Sequence, residues 1–457
     1  MNSPDDRFSS GTILLLLAVA VLVGLWGGRV LWLWQVTAPQ PLPAPARITA
    51  AHGGTPRLLV PDSVGPALDS AARAFAGVLA AVLRDDLAFE REFEVLPPDL
   101  HDLVAAGANP VSWDRWRQAG ADAVLATQIT GGPDGLHITA TLLDVNGRAV
   151  AFERAWGAAP GEPRRAAHEI ADAVLWSQTG VPGVAQTHLA FVSDRLGAYR
   201  SPTGETRRVK EIFCADYDGA NQVRVTADGD LALTPNWAPD GAIAYTSYRR
   251  GFQDVFVWRP GAATTENPTG GRGKNWLPAW SPDGSRIAIT SSRGGGSSVY
   301  LMRADGSDVQ RLSSHWSIDT SPAWSPTGAQ IAFTSNESGS PQIWVMDADG
   351  SNPRQLTSER YCDKATWSPR PFHEIAYVSQ TASGFDIKVI DVTTGRVRQL
   401  TTGAGFNESP SWSANGRHLV FSSTRSGTEQ IWTMTRLGLD LRQITSVGRN
   451  TMPAWSR

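Results

Sequence analysis

The distribution of apolar and polar residues divides the chain into two parts with different periodicity. Up to about residue 184, apolar residues occur both at helical spacing and in short alternating runs, which indicates a mixture of helices and strands. From about residue 188, short alternating apolar runs are separated by Gly, Pro, Asn and Asp, which is typical of strands joined by tight turns. The pattern therefore predicts an α/β region followed by an all-β region.

The first part has the pattern of one compact α/β domain. Ala67–Leu87 has Ala, Leu and Val at helical spacing, which predicts an amphipathic helix, and Asn146-Gly147 is a typical type I′ hairpin turn. The predicted elements are strands at Pro56–Pro61, Glu92–Pro97 and Ala123–Thr130, helices at Ala67–Leu87 and from Val111 to a stop at Gly120, a hairpin over 135–157 and a last helix ending at Gly180.

The second part contains an internal repeat. A tryptophan, preceded in all but one copy by proline two residues earlier, recurs at spacings of 43, 44, 43, 45 and 43 residues. Three further short strand patterns follow most copies, and four strands in about 43 residues match a β-propeller blade. Tryptophans at such regular spacing favour packing between blades, whereas stacking on a ligand is the alternative. These blade anchors are Trp237, Trp280, Trp324, Trp367, Trp412 and Trp455.

The two ends of the repeat are incomplete in complementary ways. Residues 187–226 supply the second, third and fourth strands of a blade without an anchor strand, and the terminal residues 452–457 supply an anchor strand alone. Together they complete a sixth blade, and pairing of the last strand with the first blade would leave no open sheet edge. We therefore expect an α/β N-terminal domain followed by an all-β six-bladed β-propeller of WD40-like repeats, closed by the C-terminal strand.

The net charge and the cysteines argue against two classes of function, nucleic-acid binding and metal binding through cysteine. Forty-one basic and forty-four acidic residues give a formal charge of −3, which provides no polybasic surface for nucleic acid. The two cysteines, Cys214 and Cys362, lie in no metal-binding spacing and are interpreted as small buried apolar side chains, with a disulfide as the unsupported alternative.

The N-terminus carries an export signal. Ile13–Trp26 is a run of fourteen uncharged residues, the length of a signal-peptide core, and a proline-rich spacer over Ala38–Ala46 follows. Ala44–Ala46 is a candidate cleavage site, whereas an uncleaved anchor over Gly11–Val36 remains the alternative. The expected organisation is a signal peptide or anchor with spacer at 1–46, the α/β domain at 47–184 and the propeller at 185–457.

Common catalytic and metal-binding motifs are absent from the sequence. It contains no G-x-S-x-G and no H-E-x-x-H, and the Gly-rich stretch Gly270–Asn275 departs from a P-loop in its first glycine and last residue. Asp216–Asn221 and Asp347–Asn352 resemble calcium loops, but their glycine position and missing distal glutamate favour hairpin turns. We expect a protein without catalytic residues, metal or cofactor.

Several motifs, taken in order, resemble the TolB family. They are "GADAVLATQIT" and "LLDVNG" in the α/β region, "THLAFVSD" at the junction, "DYDGANQVRVT" in the first blade, the "PAWSPDG" type of repeat and the terminal "MPAWS". The resemblance implies a non-enzymatic, monomeric, periplasmic component of the Tol-Pal system. Such a protein supports outer-membrane integrity and envelope constriction during cell division. It binds the peptidoglycan-associated lipoprotein Pal at the propeller channel mouth, and TolA is a further partner.

Other functions stay open at this point. A propeller-type envelope accessory protein that binds glycan or peptide, or a peptidase-associated propeller, would carry the same repeats. Membrane contact is expected only through an uncleaved N-terminal segment.

The candidate recognition residues lie just before and within the start of each anchor strand. These segments vary while their flanks repeat, as expected if the flanks hold the scaffold and the variable segments bind a partner at the channel mouth. The alternative is that they are solvated connections. The candidates are polar groups around one aromatic residue: Lys274, Asn275, Trp276, Asp319, Thr320, Lys364, Glu408 and Asn450.

Overall fold

The computed structural model describes residues 47–51, 53–63, 65, 69–97, 100, 112–132, 135–200, 206–314 and 316–457. The expected signal sequence and proline-rich spacer lie outside the described residues, as do Ala67 and Val111 at the starts of two predicted helices. Residues 48–457 form one compact unit. Within the described ranges, no helix combines the length and the apolar character that crossing a membrane would require.

The N-terminal part of this unit is a five-stranded mixed sheet with two long helices. The strand order is β2-β1-β3-β4-β5, with β1 parallel to both neighbours and the other pairs antiparallel. The elements are β1 (Arg57–Leu59), α1 (Ser70–Glu90), β2 (Glu94–Val95), α2 (Trp113–Gln118), β3 (Ala123–Gly132), β4 (Gly135–Asp144), β5 (Ala149–Ala158) and α3 (Pro163–Thr179).

The boundaries of the long helices follow ordinary capping chemistry. The Asp69 carboxylate accepts a hydrogen bond from the Ala72 amide at 2.8 Å and so caps the start of α1. Helix α1 ends three residues later than predicted, at a left-handed Arg91 with φ of 62°. Helix α3 begins at Pro163 and ends at Gly180 (φ 68°), where the sequence predicts its end.

The hairpin between β4 and β5 turns differently from the prediction. A type I′ turn would place positive φ at Asn146 and Gly147, but the left-handed residue is Arg148, with φ of 52°. The Asp144 carboxylate accepts the Asn146 and Gly147 amides at 3.0 and 2.9 Å, and a Cβ on Gly147 would lie 2.5 Å from it. The glycine is needed for this close approach, and the type I′ assignment was wrong.

The rest of the chain forms a six-bladed β-propeller, as expected. Each blade is a small antiparallel sheet whose first strand, containing the anchor tryptophan, lies innermost. Blade 1 consists of β30 (Asn450–Trp455), β6 (His188–Ser193), β9 (Glu211–Asp216) and β10 (Val223–Arg224), and blade 2 of β11 (Ala232–Trp237), β12 (Ile243–Ser247) and β13 (Asp254–Trp258). Blade 3 consists of β14 (Asn275–Trp280), β15 (Arg286–Ser291), β16 (Ser298–Arg303) and β17 (Gln310–Arg311), and blade 4 of β18 (Asp319–Trp324), β19 (Gln330–Ser335), β20 (Gln342–Asp347) and β21 (Arg354–Gln355). Blade 5 consists of β22 (Cys362–Trp367), β23 (Glu374–Thr381), β24 (Gly384–Asp391) and β25 (Val397–Gln399), and blade 6 of β26 (Asn407–Trp412), β27 (His418–Ser423), β28 (Gln430–Thr435) and β29 (Arg442–Gln443).

The C-terminal strand closes the ring. Strand β30 pairs antiparallel with β6, with Asn450 opposite Ser193 and Trp455 opposite Leu189. Blade 1 is therefore built from both ends of the repeat region, which confirms the predicted closure.

Two features of the ring were not predicted. Blade 2 has three strands, and only Glu266 bridges its outer edge, at Val257. A small extra hairpin of β7 (Ala198–Arg200) and β8 (Thr206–Arg208) is inserted in the connection between the second and third strands of blade 1.

The anchor tryptophans lie between neighbouring blades. Trp280 packs in one apolar cluster with Ala244 and Val255 of blade 2, and Trp324 packs with Ala288 and Val299 of blade 3. Three of the indole N–H groups also donate to a backbone carbonyl of the preceding inner strand, at 3.1 to 3.2 Å: Trp237 to Ala454, Trp324 to Ala279, and Trp412 to Thr366. Each such residue thus joins two blades by apolar contact and by a hydrogen bond.

The α/β domain contacts blades 1 and 6 through a shared core. One apolar cluster contains Leu83 and Leu87 of α1, Ile170 of α3, Phe191 of blade 1 and Ile431 of blade 6, together with other residues of these elements. Because this core is continuous, the two parts of the chain are expected to unfold together.

The end of α1 adds buried polar contacts to blade 6. The Glu90 carboxylate accepts hydrogen bonds from Asn415 at 3.1 Å and lies 3.3 Å from the Arg417 guanidinium. Burial raises the pKa of Glu90 to about 7, against the opposing effect of Arg417. Burial also disfavours the charged form of His418, which stacks on Phe89, and so lowers the pKa of this histidine to about 4. His418 is therefore neutral at physiological pH.

Glycines in the turns after the third strands let adjacent blades approach closely. A Cβ at Gly219, Gly350 or Gly438 would lie 2.6 to 2.7 Å from a backbone carbonyl oxygen of the preceding blade, and one at Gly306 would overlap the Pro268 carbonyl. These glycines also have φ between 81° and 90°. The "DADG" type of motif is therefore a blade-packing turn, in agreement with the hairpin interpretation.

Replacing Gly306 by alanine tests this close approach. The Gly395→Ala variant is the matched control, because Gly395 has φ of 70° but no atom within 4 Å of an added Cβ. The control is expected to lose about 1 kcal/mol through its left-handed backbone alone. Gly306→Ala should lose at least twice as much in urea unfolding, because the preceding blade must shift. Equal losses would contradict the packing role.

Candidate functional site: the propeller channel and its mouth

The two ends of the propeller have different surroundings. The turns after the first and third strands form one end, here the base face, and residues there, such as Asn415 and Asp218, contact the α/β domain. The connections between second and third strands and the linkers between blades form the other end, here the mouth face. The α/β domain therefore occupies part of the base face, and the mouth face lies at the opposite end.

Six inner strands enclose a central channel. A cavity of about 220 Å³ lies within it, and a second of about 320 Å³ lies nearer the base face. Arg457 lines both cavities. Most of the remaining lining of the first cavity consists of small, hydroxyl and proline side chains and anchor tryptophans, and Leu277, Lys364 and Met452 are its larger members.

Every inner strand has a bulge at the same place. The register with the second strand shifts after the second residue, for example between Trp276 and Ala279 and between Glu408 and Ser411. The third residue of each strand has φ between 50° and 55° and lines the cavity of about 220 Å³. This left-handed ring consists of Thr234, Leu277, Ser321, Lys364, Ser409 and Met452.

Six non-glycine residues in this conformation store backbone strain. A left-handed residue with a side chain costs roughly 1 to 2 kcal/mol, so the surrounding strands must hold it in place. Bulges bend a strand and re-aim its side chains, and they are common near binding sites. The repeated bulge thus turns a different side chain from each blade toward the channel.

Charged groups of blades 4 to 6 form a network at the mouth. The Asp363 carboxylate accepts hydrogen bonds from Ser321 at 3.1 Å and from Thr334 at 2.7 Å, which joins blades 4 and 5. Lys364 and Glu408 form an ion pair at 2.7 Å across blades 5 and 6, with both side chains about one-third exposed. These groups give the mouth a fixed polar lining.

Three of the candidate recognition residues are buried. Asn275 and Asn450 are fully buried and Asp319 is 1% exposed, and each is the first residue of its inner strand. The Asn275 amide donates to Asp254 at 3.0 Å, the Asn450 amide donates to Gln430 at 2.8 Å, and Asp319 accepts from Ser317. The expectation that these side chains are available to a partner was wrong.

The other five candidates reach the surface to different degrees. Lys274 is exposed, whereas Trp276, Thr320, Lys364 and Glu408 are half-buried. Trp276, Thr320 and Glu408 are second residues of inner strands, and Lys364 is a third residue. Burial falls after the first residue in all six strands, so accessible candidates lie at the second and third positions.

Three large apolar side chains at the mouth were not among the eight candidate residues. Trp316 is 96% exposed and Ile318 is 57% exposed, both in the linker from blade 3 to blade 4, and Phe406 is 52% exposed in the linker from blade 5 to blade 6. Trp316 lies outside the anchor spacing, but so do Trp258, Trp276, Trp344 and Trp432, and the spacing therefore does not single it out. Exposed apolar groups beside a concave opening are typical of protein interaction sites.

A metal site was not expected. Among the described ranges, no group of three or more His, Cys, Asp or Glu side chains is placed to hold a metal ion. Cys214 and Cys362 are buried and free, in agreement with their interpretation as small apolar side chains.

Comparisons with known proteins match both parts of the chain. Residues 177–457 match the family described as "TolB beta propeller domain", and residues 51–150 match the "TolB amino-terminal domain". Two curated relatives are each a "Tol-Pal system protein TolB". The one from Anaeromyxobacter dehalogenans is 33% identical over 260 residues, 55% of this chain and 56% of the relative. The one from Bordetella pertussis is 31% identical over 233 residues, 50% of this chain and 49% of the relative.

The chain spans about half the length of the curated relatives it matches. A solved structure extends the likeness over both domains. The crystal structure of TolB from Acinetobacter baumannii superposes with a TM-score of 0.75 at 25% identity, and the match covers 90% of this chain and 98% of that one.

Proposed function

The chain belongs to the TolB family, and from that premise we propose that it is a non-enzymatic periplasmic component of the Tol-Pal system that binds Pal at the mouth of its propeller channel. TolA is the second proposed partner. Through these contacts the protein supports outer-membrane integrity and envelope constriction during cell division.

One observation carries the proposal. The exposed apolar side chains of Trp316, Ile318 and Phe406 lie on the mouth face, away from the α/β domain. Exposure of these apolar side chains to water is unfavourable, and their burial against a partner would stabilise the complex. Tryptophan near the centre of an interface often contributes a large part of the binding free energy.

The mouth also combines apolar anchors with fixed polar groups. The Lys364–Glu408 pair and the Asp363 network are held by bonds to neighbouring blades before any partner arrives. Preorganised polar groups lose little side-chain freedom on binding, which favours a specific complex. These features support protein recognition at the mouth.

Replacing Trp316 by alanine tests the proposal. The binding partner is the purified periplasmic domain of the peptidoglycan-associated lipoprotein encoded in the same genome, and the measurement is isothermal titration calorimetry. We expect Trp316→Ala to weaken binding about 30-fold, a loss of about 2 kcal/mol. Folding should be unaffected because the side chain is almost fully exposed.

Trp176→Ala is the matched control, since Trp176 is a 47% exposed tryptophan on α3 in the α/β domain. It should bind like the unmodified protein. No binding by the unmodified protein, or equal loss in both variants, would contradict the proposal. Binding of peptidoglycan fragments in place of the lipoprotein domain would favour the glycan-binding alternative.

A further inference from the structure

Four positively charged side chains lie in or beside the glycine-rich loop between blades 2 and 3 on the mouth face. Arg272 and Lys274 are exposed residues of this loop, Arg250 is exposed in the connection after β12, and Arg293 lies half-buried in the connection after β15. The name basic rim is used below for Arg250, Arg272, Lys274 and Arg293. The loop is the Gly270–Asn275 stretch that departs from a P-loop in sequence.

The glycines of the loop bring these cations together. A Cβ on Gly271 would lie 3.1 Å from an Arg250 guanidinium nitrogen, and a Cβ on Gly273 would lie 3.0 Å from Arg293 Cγ. Both glycines have left-handed backbone, with φ of 71° and 75°. A larger residue at Gly273 would also press on the Arg293 backbone, and a side chain at either position would strain the left-handed backbone.

Arg293 is held in place by backbone groups and not by a carboxylate. Its Nε donates to the Arg272 carbonyl at 3.0 Å and its Nη2 to the Thr269 carbonyl at 3.3 Å. Burial and the nearby Arg272 charge both lower the pKa of Arg293. The guanidinium is thus fixed beside a second positive charge at a cost in free energy, which an incoming anion would offset.

Little negative charge balances the basic rim from within the chain. Asp254 lies 3.8 Å from Arg250 but is fully buried, and it also accepts bonds from Asn275 and Asn267. Within the described ranges, no carboxylate lies within ion-pair distance of Arg272, Lys274 or Arg293. The basic rim therefore presents several positive charges to a ligand.

We infer that the basic rim binds an acidic polypeptide surface, namely that of the protein partner docked at the channel mouth. This inference rests on the proposed function. The linker that carries Trp316 and Ile318 lies directly beside blade 3, where the Asp319 amide donates to the Ser297 carbonyl at 2.9 Å. Exposed apolar side chains thus adjoin a cluster of positive charges, and protein interfaces combine both kinds of group.

The charge distribution favours a polypeptide over a lipid surface. The mouth carries the basic rim on blades 2 and 3, but Glu337 is exposed on blade 4. A uniformly anionic membrane laid across the mouth would meet both signs of charge. A partner protein can present acidic residues to the basic rim alone.

The test compares Arg272→Gln/Lys274→Gln with a control that removes the same charge elsewhere. Arg354→Gln/Arg396→Gln is matched, because both arginines are exposed and lie next to the base-face turns of blades 4 and 5. Stopped-flow association with the lipoprotein domain is measured over a range of salt concentrations. We expect the basic-rim variant to associate about tenfold more slowly at low ionic strength and to show a shallower salt dependence.

A second probe separates this inference from the proposed function. An octaglutamate peptide is titrated into the same proteins, with vesicles containing phosphatidylglycerol as the competing surface. Peptide binding that is lost in the basic-rim variant and kept in the control supports the inference, even if the lipoprotein domain fails to bind. Equal behaviour of both variants toward the lipoprotein domain and the peptide, or binding of vesicles but not of peptide, would overturn it.

Discussion

Removing Met452–Arg457 is expected to destabilise the whole folded unit. The deletion takes away most of β30, the strand that pairs with β6 and joins the last blade to the first. Without it, β6 becomes an unpaired inner edge and the channel wall opens. Trp455, 4% exposed, is lost from the core that blades 1 and 6 share with the α/β domain.

The tryptophan alone should account for much of this loss. Its indole N–H donates to Thr187 at 2.7 Å, and this bond is lost together with the apolar contacts of the ring. Trp455→Ala is expected to lower the free energy of unfolding by about 3 to 5 kcal/mol. Such a loss is a large fraction of the roughly 5 to 15 kcal/mol by which folded proteins are stable.

Urea unfolding followed by circular dichroism measures both variants. Trp316→Ala is the control, because it removes the same side chain from an almost fully exposed position and should leave the midpoint unchanged. The truncated chain is expected to unfold at much lower urea or to lack a cooperative transition. An unchanged midpoint for the truncated chain would refute closure by the C-terminal strand.

Replacing Asp86 by alanine is expected to weaken the junction between α1 and blade 1 strongly. The Asp86 carboxylate is 2% exposed as a residue and accepts hydrogen bonds from Tyr217 at 2.7 Å and from His168 at 2.8 Å. Its removal leaves a buried hydroxyl and a buried imidazole without that acceptor. Breaking one partner out of such a buried charged network costs about 3 to 5 kcal/mol.

The stability lost in Asp86→Ala should become smaller as the pH rises. Burial alone would lower the pKa of His168, but the Asp86 carboxylate raises it overall. A raised pKa in the folded state stabilises the protein fully below the ordinary histidine pKa of about 6.5, and this contribution disappears as the pH rises through the raised value. The difference between the unmodified protein and Asp86→Ala is therefore largest below about pH 6.5 and becomes smaller as the pH rises above that value.

Other charges near His168 act on the same equilibrium. Asp216 lies 3.9 Å from His168 Nε2, and Arg164 pairs with Asp218 at 2.5 Å. Asp218 raises the pKa of His168 and Arg164 lowers it, both less than Asp86 does. Asp85→Ala is the control, because Asp85 is the exposed neighbour on the same helix. A pH-independent loss for Asp86→Ala, or an equal loss for Asp85→Ala, would contradict this account.

Much of the fold was predictable because residues that recur in the repeat mark the strands and turns of each blade. Each anchor tryptophan marks an inner strand, each turn glycine marks a tight connection, and the incomplete units at the two ends predict closure. The exceptions lie where local pattern and packing disagree. The type I′ turn at Asn146 failed because Asp144 binds the turn amides and moves the left-handed residue to Arg148.

The candidate site was predicted only in part. The sequence located the segments at the mouth, but it ranked Asn275, Asp319 and Asn450 as accessible when they are buried first residues of inner strands. Which face a strand residue takes depends on register and on the bulge after the second position, and neither is visible in one sequence. Trp316 and Trp276 both lie outside the anchor spacing, and only the structure shows that Trp316 is the exposed one.

The sequence by itself determined the number of blades, the closure of the ring and the placement of the tryptophans, because these depend on periodic contacts repeated along the chain. Only the tertiary structure decided which mouth residues reach solvent, and it alone brought Arg250 and Arg293 to the glycine-rich loop. It also joined Asp86 of α1 to Tyr217 of blade 1, 131 residues apart. Such contacts depend on how distant segments pack, and no local periodicity encodes them.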